Sequence, residues 1–169
     1  MTQEEFKKIL DDRWYSYKEE GNRIEVKSLG GINLPSLTTL PEGIVFSNGS
    51  NVHLESLTTL PERTVFSNGG HVHLESLTTL PERTVFSNGG HVYLRSLTTL
   101  PEVIVFSNSG SVYLKSLTTI RKGIVFSGGD VYLESLTGEW FCDWKGDIRG
   151  IDSKRLLNKM ISLGLFNTK

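Results

Sequence analysis

The sequence predicts a mainly β protein, a parallel β-solenoid closed by an α-helix at each end. Three observations carry that reading. A 20-residue block, S-L-T-T-L-P-E-x-x-V-F-S-N-x-x-x-V-x-L-x, recurs in register, with its serines at Ser36, Ser56, Ser76, Ser96 and Ser116. Each block holds two short runs in which apolar and polar residues alternate, the period of a strand. The two ends of the chain abandon the block and take helical spacing. A fixed period of this kind marks an architecture in which each coil buries its apolar side only by stacking on its neighbours.

The N-terminal cap is expected over residues 1–22. Thr2 followed by Glu5 has capping-box spacing. Phe6, Ile9, Leu10, Arg13, Trp14 and Tyr17 continue at helical spacing, so the helix is read over 2–20 and ended by Gly21. The solenoid follows over residues 23–151. Ile24 and Val26 stand one period before Ile44 and Phe46, and Ile32 and Leu34 one period before Val52 and Leu54. About six coils result, and at a strand spacing of ~4.8 Å they stack to about 29 Å.

One coil, Val52 to His71, shows how the chain turns. Val52 and Leu54 alternate with His53 and Glu55, a first strand. Leu57 and Leu60 both turn inward around a bend. Pro61, which lacks an N–H, suits a corner rather than a central strand. Thr64 and Phe66 alternate with Val65 and Ser67, a second strand, and Asn68-Gly69-Gly70 is a turn. The inward set is then Val52, Leu54, Leu57, Leu60, Thr64 and Phe66. Stacking predicts a phenylalanine column from Phe46 to Phe126. It also predicts an amide column of Asn48, Asn68, Asn88 and Asn108, of the kind that hydrogen-bonds along a stack. The last interval, to Ser135, is one residue shorter, and Gly128 breaks the amide column there.

The tail leaves the repeat at Gly138. A second capping helix is expected over residues 152–169, with Leu156, Leu157, Met160, Ile161 and Leu163 on its apolar side. Helices at both ends would cover the open strand edges, which otherwise invite edge-to-edge polymerisation. A leucine-rich repeat is the nearest rival. Its pattern needs a leucine where this chain has Glu62, and PERTVFSNGG is a poor convex helix.

Composition sets limits on function. The chain has 169 residues, 18 basic and 19 acidic, for a net charge of −1. Such a balance provides no strong field to gather nucleic acid or an anionic membrane. No run approaches the ~18 apolar residues of a membrane span. Cys142 is the only cysteine, so no internal disulfide can form. MTQEEFKKILDDRW shows acids and no apolar core of a signal peptide, and a cytoplasmic location is expected.

The SLTTLPE and FSNGG coils resemble a group of uncharacterised repeat proteins of bacteria and their phages. The resemblance covers residues 32–137 and carries no active site to transfer. It implies, by analogy, an inhibitor of a host system such as CRISPR or another defence, acting in the host cytoplasm if phage-encoded.

No catalytic set is present: the chain has no phosphate-binding loop, no metalloprotease helix and no nucleophile elbow. A non-enzymatic protein is expected, with no cofactor. His53, His71 and His73 are the best metal candidates, but no thiolate is near and no motif fixes a carboxylate, so no metal is expected. The adjacent threonines, from Thr38/Thr39 to Thr118/Thr119, lie between buried leucines and are read as structural. An ice- or ligand-binding threonine ladder is an alternative function. The outward first-strand columns are more informative. One reads Asn33, His53, His73, Tyr93, Tyr113, Tyr132, and the next Pro35, Glu55, Glu75, Arg95, Lys115, Glu134. Tyrosine and arginine are residues that interface hot spots favour. The expected function is therefore a protein–protein interaction module, monomeric or homodimeric. Its partner-binding residues are Tyr93, Arg95, Tyr113, Lys115 and Tyr132, extended by Trp140 and Trp144. Nucleic-acid binding, through Arg95, Lys115, Arg121 and Lys122, or mimicry through Glu42, Glu62, Glu82 and Glu102, is a further alternative that the net charge opposes.

Overall fold

The computed structural model describes residues 1–136, with strand backbone at 140–144 and 148–149. The expected C-terminal helix over 152–169 lies outside the described residues. The chain begins with α1 (Gln3–Asp12), capped by Thr2 in a reciprocal capping box with Glu5. Strands β1 (Tyr17–Glu20) and β2 (Arg23–Val26) follow as an antiparallel hairpin. From β2 onward every coil gives one strand to each of two sheets.

The first sheet stacks β2, β4 (Ile44–Phe46), β6 (Val65–Phe66), β8 (Val85–Phe86), β10 (Ile104–Phe106), β12 (Ile120–Phe126) and β14 (Trp140–Trp144), all parallel. The second stacks β3 (Ile32–Asn33), β5 (Val52–His53), β7 (Val72–His73), β9 (Val92–Tyr93), β11 (Val112–Tyr113), β13 (Val131–Tyr132) and β15 (Ile148–Arg149). The result is a parallel β-solenoid of stacked coils. The period is kept residue by residue: Phe46, Phe66, Phe86, Phe106 and Phe126 are paired in register. The short interval costs no register, because Val112 still pairs with Val131 while Phe106 pairs with Phe126. The missing residue is thus absorbed in the Gly128–Asp130 turn.

The inward set is as the alternation requires. Val52, Leu54, Leu57, Thr64 and Phe66 are fully buried and Leu60 nearly so. The phenylalanine rings stack at 5.0–5.3 Å with interplanar angles of 4–13°. Buried Thr64 Oγ1 donates to the Pro61 carbonyl at 2.8 Å, which satisfies a hydroxyl in an apolar interior. Close coil-to-coil approach makes Gly69 obligatory: a Cβ there would lie 2.5 Å from the Gly49 carbonyl oxygen.

Two expectations need correction. The asparagines are buried at 0–1 % exposure, but their amides do not bond one another. Asn68 Nδ2 donates to Ser50 O at 2.9 Å in the preceding coil and to His71 O at 3.3 Å in its own turn. The backbone carbonyls outcompete the neighbouring amides, and the Oδ1 atoms find no donor among the described residues. The N-terminal helix is also shorter than its apolar stripe suggests. It stops at Asp12, and Trp14 takes φ 58° and is 93 % exposed. Tyr17 lies on β1, not on the helix. Gly21, at φ 59°, serves the first central position of the hairpin turn, not a helix end.

That hairpin explains how the first coil is closed. Phe6 and Leu10 seat on the core, and β1 occupies the edge of β2. The edge of β3 is covered by side chains instead. Tyr15 Oη accepts the Asn33 N–H at 2.9 Å, and Arg13 Nη1 donates to the Asn33 carbonyl at 2.8 Å. Gln3 Nε2 donates to the Asn22 and Glu42 carbonyls at 2.6 and 3.0 Å. These bonds pair exposed backbone groups of the β2 and β3 edges within the chain.

Candidate functional site: the aromatic ladder of the second sheet

Strand pleating sends alternate side chains to opposite faces. Val52, Val72, Val92, Val112 and Val131 point inward, so the residue after each points out. The outward residues form one continuous pile of rings. His53 and His73 stack at 4.4 Å, His73 and Tyr93 at 4.6 Å, Tyr93 and Tyr113 at 4.8 Å, and Tyr113 and Tyr132 at 4.4 Å. Each ring is half-buried by its neighbours. Burial, with Tyr132 and Tyr93 on either side, holds the Tyr113 hydroxyl above its ordinary range. It is a neutral donor at physiological pH.

The second column lies beside the rings. Arg95 spreads over the Tyr93 ring at 5.3 Å, a cation–π arrangement, and makes no ion pair among the described residues. Lys115 instead pairs with Glu134 at 2.6 Å. The structure therefore brings Tyr93, Arg95, Tyr113, Lys115 and Tyr132 onto one face, with Arg95 as its unneutralised cation. Trp140 and Trp144 belong to β14, whose strand pairs with β12 in the first sheet, Trp144 in register with Phe126.

A third column was not legible as a functional element. Asn51, His71, His91 and Ser111 occupy the turn position before each strand. Each of the first three accepts the backbone N–H of its successor: Asn51 Oδ1 from His71, His71 Nδ1 from His91, and His91 Nδ1 from Ser111, all at 2.8 Å. Burial, then the charges of His91, His73 and His53, keep the His71 imidazole below its usual range. It is thereby held as the neutral acceptor that the ladder needs. These rings meet the tyrosines edge-on, His91 standing 6.1 Å from Tyr93 and 5.8 Å from Tyr113. The available signal was that every residue in this column carries a side-chain acceptor.

The histidines and glutamates are also drawn together. His53 Nδ1 lies 2.8 Å from Glu55 Oε1, and His73 Nδ1 lies 3.1 Å from Glu75 Oε1. No repeat motif placed these carboxylates on the histidines, but i,i+2 spacing on one strand face does so.

Two other surfaces differ from expectation. Val85, Val103 and Val105 on the outside of the first sheet are 40, 66 and 44 % exposed, an apolar strip beside the glutamate column that the alternation alone did not single out. The threonine pairs are turned to solvent at Thr38/Thr39, Thr58/Thr59, Thr78/Thr79 and Thr98/Thr99. Thr78 Oγ1 makes only a long bond to the Thr58 carbonyl, 3.4 Å.

Compared with protein-family models, with curated proteins and with solved structures, the chain finds no match. Among the described residues, no helix is long and apolar enough to cross a membrane.

Proposed function

We propose that this protein is a non-enzymatic docking module that presents the aromatic ladder to a protein partner. The observation that carries the reading is the preorganised stack of Tyr93, Tyr113 and Tyr132 with Arg95 lying over Tyr93. Their rotamers are held by stacking and by the solenoid's register, so little side-chain entropy remains to be lost on binding. Tyrosine adds contact area and a hydroxyl, and arginine adds planar donors, the pairing that interface anchors favour. The complementary surface is a folded protein that offers carboxylates and apolar side chains. By its resemblance to repeat proteins of bacteria and phages, the reading extends to an inhibitor of a host system such as CRISPR or another defence.

The test is a triple variant, Tyr93→Ala, Tyr113→Ala, Arg95→Glu, assayed against a partner isolated from lysate of the native host. It is expected to stay folded and to lose at least tenfold in affinity, ~1.4 kcal/mol. Unchanged affinity in the folded variant would move the docking face elsewhere on the solenoid. Affinity that falls steeply with salt and is shared by nucleic acid would favour the nucleic-acid reading instead.

A further inference from the structure

The histidine end of the ladder has chemistry that protein docking does not use. His53, Glu55 and His73 each offer a ligand atom within 4.8 Å of the other two. The two rings are stacked 4.4 Å apart, and each directs Nδ1 at a carboxylate. Because a carboxylate only accepts, each neutral ring carries its proton on Nδ1, between nitrogen and oxygen. Glu55 and Glu75 then each keep a second oxygen, Oε2, buried and without a hydrogen-bond partner among the described residues. Two carboxylates with unmet oxygens thus stand in adjacent coils beside two imidazoles. Further along the same column the chain supplies the missing cation itself: Glu134 is paired with Lys115 at 2.6 Å. Among the described residues, no basic side chain pairs with Glu55 or Glu75 other than the histidines.

We infer that His53, His73 and Glu55 form a binding site for a divalent transition-metal ion of the Zn2+, Ni2+ and Cu2+ class. The two-imidazole, one-carboxylate donor set suits these ions and not Ca2+ or Mg2+. On binding, the two stacked rings tilt toward each other, so that both Nδ1 atoms reach one ion in place of their present carboxylate partners. Each ring gives its Nδ1 lone pair to the ion and carries its proton on Nε2, so each ring keeps its own proton. Glu75, on the His73 ring, supplies a second carboxylate that adds to the field at the site. Water completes the coordination, since both histidines are partly exposed. This site does not depend on the tyrosine surface being an interface.

The column itself provides the variants. Tyrosine already stacks at position 93, so His53→Tyr and His73→Tyr keep the ring pile and remove one ligand each. Serine stands at position 111, so His91→Ser is a control outside the ligand set. Calorimetric titration of the full chain with Zn2+ is expected to show one ion per chain. Affinity is expected to drop at least tenfold in His53→Tyr and in His73→Tyr, and to be unchanged in His91→Ser and Cys142→Ser. Glu55→Gln, which keeps the side-chain shape, provides a second measure and is also expected to lose at least tenfold. Electron paramagnetic resonance of the Cu2+ form is expected to show coupling to two imidazole nitrogens. The inference is overturned if the wild-type chain takes up no Zn2+ at submillimolar concentration. Unchanged uptake in the folded tyrosine variants, or loss only in Cys142→Ser, overturns it equally.

Discussion

Replacing Phe86 with alanine removes the middle ring of the interior column. Phe86 is 0 % exposed and lies 5.3 Å from Phe66 and 5.2 Å from Phe106. Burial of a phenylalanine contributes about 1.5–3 kcal/mol. Each stacked aromatic contact adds about 0.5–1.5 kcal/mol, and two are lost. The coils cannot close over the gap, because Ser87 N–H bonds Phe66 O and Ser107 N–H bonds Phe86 O, both at 2.8 Å, and so fix the spacing. The expected cost is about 3–5 kcal/mol, the range for buried aromatics elsewhere. Urea unfolding followed by circular dichroism measures it as a shift in midpoint at constant slope. Val85, the neighbour that points out of the same strand, is 40 % exposed, and Val85→Thr is expected within about 0.5 kcal/mol of wild type. A Phe86→Ala cost below ~1 kcal/mol, or a larger loss from Val85→Thr, would mean that the coil is read inside out.

Gly69→Ala forces a Cβ against the Gly49 carbonyl oxygen, 2.5 Å away. It is expected to cost more than about 1 kcal/mol in the same unfolding assay. Asn88→Ala removes an amide that donates to Gly70 O at 2.9 Å and Gly90 O at 3.0 Å, and about 1–3 kcal/mol is expected for the stranded carbonyls. Asn88→Asp is expected to be worse than Asn88→Ala at pH 7. There an anion faces carbonyl oxygens, so the folded state raises its pKa above the unfolded value. Its penalty relative to wild type at the same pH therefore shrinks as the pH falls and the carboxyl protonates. Deletion of residues 1–22 uncovers the edges of β2 and β3. Sedimentation is expected to show concentration-dependent oligomers, and a stable monomer would show that the hairpin and helix are not the cap.

The repeat made the solenoid and its interior readable, because one inward pattern is written several times in register. Phe66 and Thr64 could be placed from alternation, and Leu57 from its three-residue spacing to Leu60 around the bend. The first 20 residues have no such redundancy. There the spacing of Phe6, Leu10, Trp14 and Tyr17 looked helical, but the hairpin with Arg23–Val26 decides the conformation of Tyr17 by pairing that a local period cannot register. The tyrosine and arginine columns were legible as a face. The bonds that hold it were not, because His71 and His91 act through ring nitrogens on the next coil's backbone. The His53–Glu55 and His73–Glu75 contacts were missed for a similar reason: i,i+2 neighbours on a strand share a face, whatever the repeat motif.

The docking claim is tested most directly by photocrosslinking from defined faces. A benzophenone amino acid is placed at Lys115, on the rim of the tyrosine ladder, or at Val105, on the outside of the first sheet. A covalent adduct with one partner protein is expected from position 115 and none from position 105. An adduct from position 105 alone, or from neither position with a partner bound, would contradict the docking claim.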